Sequence, residues 1–376
     1  MEEWGTYKLS EISSFKTGKL DSNASCEGGK YPFFTCSPET LSINQYAFDQ
    51  KAILLAGNNA EGNFNVKYYE GKFNAYQRTY VFTANEKKVI PYFLFYALKI
   101  CLNDFKQMSQ GTSTKFLTAK ILNSFEVKLP PISIQAKIVN LLRSIDEKVA
   151  LNNRINHNLE EQAQALYKSW FDDFKPFKGG KFVNSEKGLI PEGWHVGTLS
   201  ELAKITMGQS PSGSSFNEEG NGIIFYQGRT EFGFRFPSIK LFTTEPTRYS
   251  APRSILISVR APVGDINVSR KRCCIGRGLA SIEPFTESYS FVLYTVKNQA
   301  EELDMYNGEG TVFGSINRKE LEGLSVIVPP KDIIISFNEL VTPLDTKIEE
   351  LSDEIDNLQI ERDTLLPQLM SGSLTC

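Results

Sequence analysis

Three asparagines, Asn58, Asn59 and Asn63, share one short loop, Gly57-Asn58-Asn59-Ala60-Glu61-Gly62-Asn63-Phe64, and Tyr76-Gln77-Arg78 leads into a candidate strand. A side-chain amide offers a donor and an acceptor together, which matches the N7 and N6 edge of adenine, while a guanidinium matches O6 and N7 of guanine. Farther on, Gln227 and Arg229 follow an apolar run, Arg260 sits in the turn Ser258-Val259-Arg260-Ala261-Pro262-Val263-Gly264-Asp265, and Arg270-Lys271-Arg272 precedes Ile275-Gly276-Arg277-Gly278. Glycine beside arginine lets backbone approach a phosphate closely. A single asparagine is more often a turn-former and a single arginine a solvated charge, so the cluster carries the reading rather than any member. Gly111-Thr112-Ser113-Thr114-Lys115 is matched by Gly310-Thr311-Val312-Phe313-Gly314. For Thr112, Lys115 and Thr311 two readings stand, phosphate contact or closure of a domain.

The net charge of -3 hides a division along the chain. From Lys331 to Cys376 three basic residues face ten acidic ones, whereas Arg229 to Arg277 holds ten basic residues (Arg229, Arg235, Lys240, Arg248, Arg253, Arg260, Arg270, Lys271, Arg272 and Arg277) against three acidic. That basic stretch has the electrostatic footprint of phosphate contact. Catalytic machinery is not evident. Lys178-Gly179-Gly180-Lys181 is no Walker A loop, the paired prolines follow Leu129 and Val328 rather than an Asx, and Glu86-Lys87-Lys88 has no acidic partner for nuclease chemistry. With two histidines and no C-x-x-C spacing among six cysteines, neither a metal site nor a disulfide framework is supported. No apolar run approaches the roughly 18 residues of a membrane span, and the N-terminus lacks the features of a signal peptide. The expected location is the cytoplasm.

What must position the loops is written twice. At a constant offset of 199, Gly111, Lys120, Val127, Pro130, Pro131, Asp146, Lys148 and Leu166 recur as Gly310, Lys319, Val326, Pro329, Pro330, Asp345, Lys347 and Leu365. At an offset of 190, the stretch from Trp4 to Ile12 resembles that from Trp194 to Leu202. The stretches between show little similarity, so each half is a constant frame around a variable insert. Heptads run through Ile138, Leu142, Ile145, Val149, Asn152, Asn156, Leu159 and Leu166, and again through Leu344, Ile348, Leu351, Ile355, Leu358 and Leu365, which predicts a coiled-coil seam. Asn152 and Asn156 either fix the register or mark a splayed, solvated middle. Thr342-Pro343-Leu344-Asp345 predicts a break or kink, because proline lacks an N–H and clashes with the preceding turn. Short β-rich runs at Ala52–Leu55, Thr79–Phe82, Ile223–Tyr226, Ser254–Val259 and Leu324–Val328, with helices near Pro91–Asn103 and Tyr289–Glu302, make each insert mixed α+β.

With repeat, seams and basic loops assembled, the chain resembles the specificity subunit of type I restriction-modification enzymes. The resemblance rests on Leu129-Pro130-Pro131-Ile132-Ser133-Ile134-Gln135 through Ile145-Asp146-Glu147-Lys148-Val149, on Pro191-Glu192-Gly193-Trp194, and on the ending Arg362-Asp363-Thr364-Leu365-Leu366-Pro367-Gln368-Leu369-Met370-Ser371-Gly372. It implies an α+β fold: two pseudo-twofold-related mixed α+β target recognition domains separated by two long helices that form an antiparallel coiled coil. The expected boundaries are 1–130 and 194–329 for the recognition domains, 131–175 and 330–376 for the spacer helices, and 176–193 for a linker. The resemblance further implies a non-catalytic subunit that binds double-stranded DNA, each domain reading half of a split site. Two modification (methyltransferase) subunits would dock on the helices, and restriction/translocase subunits would join them. S-adenosylmethionine, ATP and Mg2+ are expected in those partner subunits, with no cofactor bound by this chain. A stand-alone bivalent DNA-binding regulator and a self-contained methyltransferase or nuclease are the alternatives.

Overall fold

The computed structural model of the chain describes residues 4–285, 288–307 and 314–374, so the expected contact Thr311 lies outside the described residues. The chain divides into two compact units, one of Met1–Asn153 with Asp353–Cys376 and one of Arg154–Ser352. Two continuous helices, Ile132–Tyr167 and Lys331–Ser371, contribute to both units. Each begins just after a diproline, where Pro131 and Pro330 accept the first amide hydrogen bonds, from Ile134 and Gln135 and from Ile333 and Ile334. The first helix ends in a π-helical turn, Lys168–Asp172.

The repeated frame has the same register in both units. Gly5–Lys8 pairs antiparallel with Glu126–Leu129, and His195–Thr198 pairs antiparallel with Ser325–Val328. Each N-terminal strand turns through a glutamate that caps it: Glu11 accepts from Lys8 N at 2.8 Å and Glu201 from Thr198 N at 2.9 Å.

The inserts, so unlike in sequence, are built on one plan. In the first unit six strands run in the order Ser13–Thr17, Thr79–Ala84, Phe48–Ala56, Val66–Ala75, Tyr31–Phe34 and Thr40–Ile43. Every neighbouring pair is antiparallel except Tyr31–Phe34 with Val66–Ala75. In the second unit Ala203–Met207, Leu279–Pro284, Ile255–Ser258 and Ile266–Val268 repeat the first four places. Ile223–Tyr226 likewise lies parallel to Cys273–Ile275 and antiparallel to Leu241–Thr243. The central strands are continuously apolar because both faces are covered. Ile53 and Leu55 face one core while Ala52 and Leu54 face another, and Ile255 and Ile257 alternate with Leu256 in the same way. The segment 176–193, expected as a linker, contains a hairpin of Phe182–Ser185 with Gly188–Pro191.

The expected break at Pro343 does not occur, since the helix is uninterrupted from Lys331 to Ser371. An interior proline costs about 3 kcal/mol, but Pro343 lies on the exposed side, with Phe337, Val341 and Ile348 fully buried around it. Three such side chains stabilise by about 1.5–3 kcal/mol each, so packing overrides the local preference.

Arg235 also departs from expectation. Counted among the basic residues of the phosphate-binding stretch, it is 2% exposed, and its guanidinium bonds Glu160 on the first long helix, Asp345 on the second (2.9 Å) and Tyr294 Oη (2.8 Å). Lys297 also pairs with Glu160, and Ser290 and Tyr294 donate to Asp345 at 2.6 and 2.8 Å. Burial alone would raise the Glu160 carboxyl, but Arg235 and Lys297 hold it below the usual range. Removing the guanidinium leaves Asp345 without a cation and Glu160 with Lys297 alone, so Arg235→Ala is expected to destabilise the second unit by about 3–5 kcal/mol, read as a lower denaturant midpoint for that unit. Because the folded pKa of Glu160 is depressed, its contribution is present above the unfolded value near ~4.3 and fades as pH falls through the folded one. An acid titration of wild-type stability should therefore lose a component that Glu160→Gln lacks.

Candidate nucleic-acid interface

In the first unit the sheet strands deliver two loops to one edge. Gly57 N donates to Arg78 O and Leu117 N to Gly57 O, both at 2.9 Å, so the asparagine loop and the 76–78 turn are bonded neighbours. Asn58 and Asn59 then pair with Phe116 and Lys115. Two of the three asparagines hold the loop itself. Asn59 Oδ1 accepts from the backbone of Glu61 and Asn63 at 2.9 and 3.0 Å, and the Asn63 side chain bonds Glu61 and Lys106. Asn58 differs, because its Oδ1 is buried with no hydrogen-bond partner. Tyr76 is half-buried while Gln77 and Arg78 are exposed, the Gln77 side-chain amide donating to Asp21 at 3.4 Å and its backbone N–H to Leu20 O at 2.9 Å. Thr112 is exposed and Lys115 half-buried. Gly111 must be glycine, since its φ is +102° and a Cβ would stand 2.0 Å from Thr114 O.

The second unit brings the corresponding loops together. Val259 N donates to Gly278 O at 2.9 Å, Ile316 N to Val259 O at 3.1 Å, and Arg260 bridges to Ser315. Gly276 N donates to Tyr226 O at 2.8 Å, and a Cβ on Gly276 would lie 2.7 Å from Gln227 O, which explains the glycine there. Gln227, Arg260, Lys271, Arg272 and Arg277 are exposed. Other members of the basic stretch have internal roles: Arg229 pairs with Asp265, Arg253 with Glu349 at 3.0 Å, and Arg235 is buried as described. Arg270 is half-buried with its guanidinium 4.3 Å over Phe236, and Arg272 lies 4.1 Å over Tyr249. Such stacking restrains an arginine without neutralising it.

The two seams are buried or half-buried throughout. Ile138, Leu142, Ile145, Val149, Asn152, Asn156, Ile348, Leu351 and Ile355 are buried, and Leu159, Leu166, Leu344, Leu358 and Leu365 half-buried. Within the first unit Asp146 meets Arg362 at 2.9 Å and Asn152 meets Glu354 at 2.7 Å; within the second Asn156 meets Ser352 at 3.2 Å. Rising numbers on one helix face falling numbers on the other, so the helices pair antiparallel in each unit. At 0% and 1% exposure, Asn152 in the first unit and Asn156 in the second are each buried rather than splayed and solvated.

Sequence reasoning missed the partners of the long-helix aspartates. Tyr96 Oη donates to Asp146 at 2.6 Å as Tyr294 Oη does to Asp345. Burial first, then the Asp146 contact, pushes the Tyr96 hydroxyl far up, so it stays a donor. An offset of 198 between the tyrosines, one less than that of the frame, was the available signal. Gln135 was also missed as a buried bracket; it accepts from Ile90 N at 2.9 Å and donates to Lys88 O and Pro130 O. Among the described residues there is no cluster suited to hold a metal ion and no helix long and apolar enough to cross a membrane.

A family profile described as type I restriction modification DNA specificity domain matches residues 1–161 and 191–365. The putative type I restriction enzyme MjaX specificity subunit of Methanocaldococcus jannaschii is 28% identical over 99% of this chain and 94% of its own length. The EcoDI specificity subunit of Escherichia coli is 26% identical over 99% and 89%, and the HindI specificity subunit of Haemophilus influenzae 24% over 100% of both. Among solved structures, the S subunit of a type I restriction-modification system from M. genitalium has the same fold, with a TM-score of 0.62 at 18% identity over 98% of this chain and 96% of that one.

Lys271 is exposed between two stacked arginines, which suits phosphate contact rather than base reading. Lys271→Ala should weaken binding to every duplex alike and reduce the slope of log affinity against log salt by about 0.9. Equilibrium titrations at several salt concentrations, on related and unrelated duplexes, check this.

Proposed function

The chain belongs to the type I restriction modification DNA specificity family, and from that membership we propose that each unit reads one half of a bipartite, asymmetric site in double-stranded DNA. It is the non-catalytic recognition subunit of its complex. The observation that carries the bipartite reading is the doubled plan: two inserts that share a four-strand order, six strands in one sheet in the first and two sheets of four and five in the second, each presenting polar loops beside that order and set in a frame of identical register. The expected DNA contacts follow from that edge, with Asn58, Gln77, Gln227, Arg260 and Arg277 toward bases and Thr112, Lys115, Lys271 and Arg272 toward phosphates. The domain boundaries proposed from sequence, 1–130 and 194–329 for recognition, keep each edge within one domain.

The long helices, on this reading, fix the unread gap and dock two modification subunits. Leu141, Leu151 and Ile155 on the first helix and Leu340 and Ile360 on the second are 36–65% exposed. Exposed apolar side chains along both helices leave room for a protein partner, which a stand-alone regulator would not need. The modification subunits would supply S-adenosylmethionine and the adenine-methylating site, and restriction/translocase subunits ATP and Mg2+ chemistry. Such a complex works where the genome is, in the cytoplasm.

The test is to express the chain with its modification subunits and sequence the host DNA for modified adenines. Modification at a split motif supports the proposal, and none, or modification by the chain alone, refutes it. Removing Asn152–Asn158 together with the seven residues facing them shortens the helix pair by about 10 Å at 1.5 Å per residue. The unread gap should then shrink by about 3 base pairs, with both half-sites unchanged.

A further inference from the structure

Two positions in each unit are structurally equivalent although no alignment of the inserts reveals it. Gly57 and Val259 each donate to the carbonyl that ends the adjoining turn, at Arg78 and Gly278, and each accepts from the amide of the residue that follows the bridge, Leu117 and Ile316. The next residue, Asn58 or Arg260, bridges to Phe116 or Ser315, which are themselves repeat partners at the offset of 199. The adjoining turns match as well. Tyr76 N bonds Phe34 O as Gly276 N bonds Tyr226 O, and Thr79 N bonds Tyr76 O as Leu279 N bonds Gly276 O. Gln77 and Arg277 therefore occupy one position, exposed in both units, and Asn58 and Arg260 another, half-buried in the first and exposed in the second.

The side chains at these positions differ in a consistent way: amides in the first unit, guanidiniums in the second. Asn58 has no structural task comparable with those of Asn59 and Asn63. Its buried, unbonded Oδ1 is an unfavourable state that rotation of the amide onto a base edge would relieve. Arg260 is exposed and forms no ion pair among the described residues. Resting on the reading that the units recognise DNA, we propose that these two equivalent positions are the base-reading pair of each unit, Asn58 and Gln77 selecting adenines in one half-site and Arg260 and Arg277 selecting guanines in the other. Both assignments follow from bidentate geometry, amide to adenine N6 and N7 and guanidinium to guanine O6 and N7. Equivalence adds that the chemistry of a half-site should be exchangeable at a single position.

The experiment uses the full chain in complex with its modification subunits, selecting from a library of duplexes with the half-sites randomised. For Arg260→Asn the expected result is that one guanine of one half-site loses its preference by about tenfold or more and adenine gains, while the other half-site is unchanged. Asn58→Arg should do the reverse in the other half-site. Gln77→Arg should likewise shift a second adenine there toward guanine. Unchanged base preference in all three variants, or a uniform loss across all sequences, overturns the assignment while leaving the family-based reading intact. A wild-type complex that selects no sequence overturns that reading, and this proposal with it. Thermal melting of each variant separates misfolding from lost contact; a variant melting as wild type with no base shift counts against the proposal.

Discussion

A carboxylate on each long helix, half-buried at Asp146 and buried at Asp345, constrains what packs around it. Asp146 and Asp345 occupy the same place in the repeat, and each takes a tyrosine hydroxyl from the helix that backs its sheet. A carboxylate removed from water is tolerable only when paired and fully hydrogen-bonded, so the tyrosine-bearing helix cannot shift along the long helix without leaving a charge unsatisfied. Through that helix the sheet is fixed, and through the sheet the loops at its edge.

The charge is balanced differently in the two units. Arg362, on the second long helix, answers Asp146, whereas Asp345 is answered by Arg235 from within the recognition insert. The repeat partner of Arg362 is Ala163, which is fully buried. Where one unit fills a heptad position with its own cation, the other keeps it small and takes the cation from the insert. The second insert is thus tied to both long helices by charge as well as by packing, Glu160 and Lys297 completing the cluster. A variable insert that supplies a partner to the constant frame must keep that residue whatever sequence it reads.

The frame was legible in the sequence because it is periodic and repeated. Offsets of 199 and 190 marked the repeated segments in which both frame strand pairs lie, and the heptads located both helices to within a few residues. What was not legible depends on contacts between residues distant in sequence. Pro343 carries a strong local signal for a break that packing of Phe337, Val341 and Ile348 overrides. Arg235 looks like any other arginine of a basic run until the fold buries it between two carboxylates. Asn58, Asn59 and Asn63 are alike in composition, and only the hydrogen bonds of the loop separate the two that shape it from the one that does not. The shared plan of the inserts is invisible for a related reason: strand order is a property of backbone pairing, which many apolar sequences satisfy equally well.

Asn152 in the first unit and Asn156 in the second each place a buried amide on the seam. In the second helix the same heptad positions hold Leu351 and Ile355, and the amides bond instead to Glu354 and Ser352 beside them. Even here the two Oδ1 atoms are buried without partners, an arrangement less stable than an all-apolar layer would be. Sliding one helix by a heptad would part both amides from Glu354 and Ser352, and any buried donor left unbonded costs about 1–3 kcal/mol. A seam bonded across at defined positions suits a constant frame whose inserts are free to change.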